Sequence, residues 1–95
     1  MNKYEIMFIV RPDMEEAEIK KTAEEVKKVL TDGKATIAEE KAMGQRELAY
    51  EIKKFSTGYY YLFVVEAATD AVNEFDRVAR INESLLRHLI VKVED

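Results

Sequence analysis

Cysteine is absent from this 95-residue chain, which removes disulfides and thiolate metal sites together. That absence also fits a cytosolic location. Histidine occurs once, as His88 inside an apolar run, so a metal site would have to be built from carboxylates alone. Acids that are close in sequence, such as Glu24 and Glu25, read as a solvated helix face. Glycine occurs three times, at Gly33, Gly44 and Gly58, and none of these opens a helix, so no phosphate-cradling loop is expected. Ser56, Ser84 and the threonines have only His88 as a candidate base, with no motif around it, which argues against nucleophilic catalysis. No enzyme activity, cofactor or small-molecule substrate is expected. No apolar run approaches the roughly 18 residues needed to cross a bilayer. The opening "MNKYEIMFIVRPD" is too short in apolar residues for a signal peptide.

What is present points to one small folded domain over residues 1–95. Apolar residues make up 47% and charged residues 36%, which favours a packed, charge-laced protein over a disordered one. The net charge of -4 is unevenly spread. Asp13 to Asp32 holds seven acids against four bases, and Leu62 to Ala79 four against one, whereas Arg80 to Val93 holds three bases against one acid.

The two acidic segments carry helical spacing. Ile19, Ala23, Val26 and Leu30 form one apolar line, with Thr22 and Val29 beside it; Asp13 is the expected N-cap and Gly33 the expected left-handed C-terminal residue. Val72, Phe75, Val78 and Ala79 form the second line, from Thr69 or Asp70 to near Asn82. The remaining segments read as strands: "KYEIMFIV", then "ATIAEEKAM" and "RELAYEI" as one long strand bent at Gly44, "GYYYLFVVEA" and "LLRHLIVKV". The link "KKFSTG" carries Ser56, Thr57 and Gly58, a hairpin signature.

The order β-α-β-β-α-β with right-handed crossovers gives an α+β, ferredoxin-like fold: a four-stranded antiparallel sheet with both helices on one face. Ile6, Phe8, Val10, Tyr61, Phe63 and Val65 are assigned to the helix side, because the opposite frame would bury Glu5 and Glu66. Met7, Ile9, Tyr60, Leu62 and Val64 then line the bare side. The last strand has two possible frames, one placing Arg87, Leu89 and Val91 on the bare side, the other His88, Ile90 and Lys92. Either frame leaves a contiguous apolar face of the kind that takes a partner.

The stretch "GQRELAYEIKKFSTGYYYLF" sets Arg46, Lys53 and Lys54 among tyrosines. Arginine and lysine on a hairpin can meet phosphates, and tyrosine can stack on a base or ribose; the ordinary alternatives are edge packing and solubilising charge. Arg46 and Tyr50, four apart in one strand, would share a face. Other proteins of this topology fit poorly. An acylphosphatase needs a glycine-containing phosphate loop, a metal chaperone needs cysteine, and the aromatic consensus of the RNA-recognition motif is not matched.

Three stretches, "KYEIMFIVRP", "GQRELAYEIKKFSTGYYY" and "ESLLRHLIVK", resemble the bacterial small-subunit ribosomal protein six family, in order, from about Lys3 to Lys92. The resemblance implies a ferredoxin-like fold and a non-catalytic role on the cytoplasmic ribosome. It also implies binding to the central domain of the small-subunit ribosomal RNA as a heterodimer with small-subunit ribosomal protein eighteen. Arg46 falls on the family's motif arginine; the next position, often basic in the family, is Glu47 here. The candidate RNA contacts are therefore Lys3, Arg46, Tyr50, Lys53, Lys54, Arg87 and Lys92. The candidate protein contacts are Met7, Ile9, Tyr60, Leu62, Val64, Leu89 and Val91. The competing class is a ferredoxin-like regulatory or homodimerisation module that does not bind RNA.

Overall fold

Alternating burial along most of the first strand sets the architecture. In the computed structural model, which describes residues 2–93, β1 (Asn2–Val10) lies inside a four-stranded sheet. The other elements are α1 (Glu16–Asp32), β2 (Thr36–Ile52), β3 (Phe55–Ala67), α2 (Thr69–Ile81) and β4 (Leu85–Val93). The strands run β2-β3-β1-β4 across the sheet, and every neighbouring pair is antiparallel. This is the ferredoxin-like βαββαβ arrangement expected from the sequence.

Tyr4, Ile6, Phe8 and Val10 point to the same side and are buried, as are Phe63 and Val65 from β3. They share one core with Ile19, Val26 and Leu30 of α1 and with Val72 and Phe75 of α2, so both helices cover the same face. Phe8 anchors this layer: its ring stacks on Tyr61 at 5.2 Å and meets the edge of Phe63 at 5.3 Å. Burying each such side chain contributes roughly 1.5–3 kcal/mol before entropy is counted. Glu5 and Glu66 stay exposed on the opposite face.

The helices keep their expected stripes but not their expected ends. Asp13 does not cap α1. Its carboxylate is taken by Arg11, whose Nε and Nη2 donate to it at 3.1 and 2.9 Å, and the capping residue is Glu15, without a side-chain bond. At the other end the left-handed residue is Lys34 (φ 67), not Gly33. Lys34 N–H reaches the Thr31 carbonyl at 2.9 Å and Ala35 N–H the Leu30 carbonyl at 3.0 Å, a Schellman closure. Gly33 is needed for space instead: a Cβ there would lie 2.8 Å from the Cβ of Ala71 on α2.

β2 bends at Gly44, where φ is +82 and the pairing slips between Ala42 and Gly44. A glycine bulge relieves the strain that a side chain would meet in that region. The hairpin turn lies within the expected "KKFSTG" link but is shorter than it, because Ser56–Gly58 already belong to β3. It is the two-residue loop Lys53–Lys54, with φ of 51 and 71, flanked by the pair Ile52 and Phe55. Two positive φ values are what a tight hairpin loop requires, because they match the right-handed twist of the strands.

Candidate protein and nucleic-acid interface

Register decides which residues share the face left free of helices. Tyr60, Ile9 and Arg87 form one row across β3, β1 and β4. Leu62, Met7 and Leu89 form the next, then Val64, Glu5 and Val91, then Glu66, Lys3 and Val93. The frame of β4 is settled by its other side. His88 Nε2 lies 2.7 Å from Asp76 Oδ1 on α2, and its ring meets Phe75 edge-on at 5.9 Å. Ile90 packs against the helix-side core. Arg87, Leu89 and Val91 therefore face the open side. Leu89 and Val91 are 48% and 45% exposed, and Met7, Tyr60 and Leu62 are half-buried.

Two of the expected protein contacts are already covered by the chain itself. Ile9 is only 5% exposed and Val64 only 8%. The Cγ2 of Ile9 fills the space a side chain on Gly58 would take, with Leu86 Cδ1 beside it. That close approach is why position 58 is glycine. Val64, on an inner strand, is flanked across its row by the longer side chains of Glu5 and Glu39. The apolar area left open is thus narrower than the alternation implies and centres on Leu62, Met7, Leu89 and Val91.

The far end of β2 closes part of this face. Its pairing with β3 is irregular between Glu47 and Ile52, and there the strand turns over the sheet. Leu48, Ala49, Tyr50 and Ile52 stand opposite Met7, Ile9, Tyr60 and Leu89, with a groove of about 220 Å³ between them. Arg87 Nη1 donates to the hydroxyl of Tyr50 across that groove. Leu48, Ala49 and Ile52 were not expected as walls. Their signal was present as apolar residues at the end of a strand too long for its neighbours.

The expected RNA contacts divide into one cluster and two outliers. Lys53 and Lys54 are exposed at the hairpin tip. Arg46 is exposed on the same hairpin, opposite Gly58, and its Nε donates to the Met43 carbonyl at 3.3 Å. The irregular pairing breaks the two-residue alternation, so Tyr50 is brought to Arg87 and not into a shared row with Arg46. Lys3 lies in the far row of the face, roughly 20 Å along β1 from Arg87. Lys92 is paired with Tyr4, whose side chain is on the helix side, so it projects away from the open face.

Arg11 was missed by the sequence reading. Its guanidinium lies 5.2 Å from the ring centre of Phe55, the first residue after the hairpin turn, while Asp13 holds it from the side. Its own N–H donates to the Ser84 carbonyl at 2.9 Å. An arginine followed two residues later by an acid, just after a strand, was the available cue. On the helix side, Arg80 joins His88 on the Asp76 carboxylate at 2.7 Å. The hydrogen bond from His88, then the positive charge of Arg80, hold that carboxyl below its usual range. Among the described residues no three His, Cys, Asp or Glu side chains gather to hold a metal ion, and no helix is long and apolar enough to cross a membrane.

The family model described as ribosomal protein S6 matches residues 3–92. The chain belongs to the ribosomal protein S6 family. Its fold agrees: the chain is similar to the 30S ribosomal protein S6 from Thermotoga maritima, with 31% identity and a TM-score of 0.93, over 97% of this chain and 87% of that one. It is therefore a small-subunit ribosomal protein of a structural, non-enzymatic family, and the ribosomal, cytoplasmic location expected from the sequence follows from that membership.

Proposed function

We propose that this S6-family chain binds the central domain of the small-subunit ribosomal RNA together with small-subunit ribosomal protein eighteen. One observation carries the reading. Leu89 and Val91 are large, exposed and contiguous with Leu62 and Met7, and they lie beside a hairpin that displays Arg46, Lys53 and Lys54. A protein partner covers the apolar rows. The hairpin cations meet phosphate, which suits a chain whose net charge of -4 would otherwise repel RNA. A basic partner supplies the remaining attraction. Lys3 and Lys92 fall outside the cluster and are left to other contacts.

Sedimentation velocity of the chain alone, with protein eighteen, and with both protein eighteen and central-domain RNA tests this. The expected series is monomer, heterodimer and ternary complex. A tight homodimer indifferent to protein eighteen would overturn the reading in favour of a self-pairing module.

A further inference from the structure

Residues 48–51 have little to hold them. The regular β2–β3 ladder is interrupted between Glu47 and Ile52, so cross-strand pairing does not fix this segment. Packing does not fix it either, because the groove of about 220 Å³ beneath Leu48, Ala49 and Ile52 leaves their inner sides incompletely filled. Among the described residues, the bond from Arg87 to Tyr50 is the one side-chain hydrogen bond that ties 48–52 to another strand. The hairpin tip, Lys53–Lys54, follows directly.

Its base is held differently. Arg11 lies over Phe55 and is itself steadied by Asp13, which spends its charge locally. Arg87 has no carboxylate partner among the described residues, and its acceptor is the Tyr50 hydroxyl. A planar guanidinium donates at fixed angles, so a single bond to Tyr50 constrains direction as well as distance.

We propose that Arg87 is a positioning residue: by donating to the Tyr50 hydroxyl it holds the end of β2 across the open face and sets where Lys53 and Lys54 point. This rests on the reading of the hairpin as the RNA-facing element. It replaces the sequence-level expectation that Arg87 itself contacts phosphate. It also joins two surfaces, since the bond spans the groove between the apolar rows and the cationic hairpin.

The discriminating variant is Tyr50→Phe, which removes one oxygen and no charge. Amide hydrogen exchange in the free protein is measured for residues 48–55 in the parent, Tyr50→Phe, Arg87→Ala and the double variant. Each single change is expected to speed exchange there about fivefold, and the double no further, as for one shared hydrogen bond. Affinity of the heterodimer for central-domain RNA is then compared across salt. Tyr50→Phe is expected to weaken binding severalfold without changing the salt slope. Unchanged exchange in Tyr50→Phe overturns the proposal. So does an Arg87→Ala variant that lowers the salt slope by about one while Tyr50→Phe binds normally, since that pattern marks a direct phosphate contact. If the parent fails to bind RNA, the proposed function fails, and the exchange data still decide the role of Arg87.

Discussion

His88 on β4 and Asp76 on α2 meet at 2.7 Å, and this contact ties the edge strand to the helix layer. It also fixes the frame of β4, because it commits alternate residues Arg87, Leu89 and Val91 to the open face. Asp76 Oδ2 accepts from Arg80 as well, so both carboxylate oxygens are occupied.

The ionisation of Asp76 is therefore linked to folding. Its carboxyl is held below the usual carboxylate range, first by the His88 hydrogen bond and then by the Arg80 charge. A depressed carboxyl contributes stability that is present above the unfolded pKa and is lost as pH falls through the folded one. Denaturant unfolding should accordingly show stability falling below about pH 4, and Asp76→Asn should flatten that acid limb. The same variant should lower Tm at pH 7 by about 5 °C, the scale of one hydrogen bond to a charged group in a domain this size. An acid limb identical to the parent's would remove the linkage.

Lys53 and Lys54 both occupy left-handed backbone, at φ 51 and 71. Each costs about 1 kcal/mol or more relative to residues suited to that region. Replacing the pair with Asn-Gly should raise stability by about 1–2 kcal/mol in denaturant unfolding, since Asn-Gly fits such a loop. The same change should reduce the salt slope of RNA binding by as much as two. Greater stability with an unaltered salt slope would show that the strain serves no phosphate contact.

Gly58 and Gly44 should respond differently to alanine. A methyl on Gly58 drives into Ile9 Cγ2, whereas a methyl on Gly44 meets nothing within 4 Å and strains only the backbone at φ +82. Gly58→Ala should cost about 2–3 kcal/mol, as overpacking does. Gly44→Ala should cost about 1 kcal/mol. Equal losses by thermal or denaturant unfolding would contradict the close approach of Ile9.

These residues also mark where the fold could be read from sequence and where it could not. β1 and β3 were legible because their charges, Glu5 and Glu66, sit on one face only, and a buried carboxylate is costly. The α1 and α2 stripes were legible from spacing. β4 was not, because apolar residues fill both of its frames: Ile90 packs on the helix-side core while Leu89 and Val91 lie open. The turn falls inside the expected link, but that link was too long, because Ser56, Thr57 and Gly58 look like loop residues although β3 already starts at Phe55. Asp13 looked like a cap, but Arg11 competes for its carboxylate at 2.9 Å. Ile9 and Val64 alternate correctly, yet their burial depends on Gly58 and on cross-row neighbours that only pairing reveals.

Leu89 carries the most direct test. Because it is 48% exposed, Leu89→Lys should leave denaturant stability within about 0.5 kcal/mol of the parent. Ile9→Lys, by contrast, would bury a charge and unfold the domain. Titration calorimetry of protein eighteen into the chain should show a one-to-one complex with a negative heat-capacity change from apolar burial. The Leu89→Lys chain, folded as before, should show no such binding. If Leu89→Lys binds protein eighteen as tightly as the parent does, the open rows of the sheet are not the docking surface.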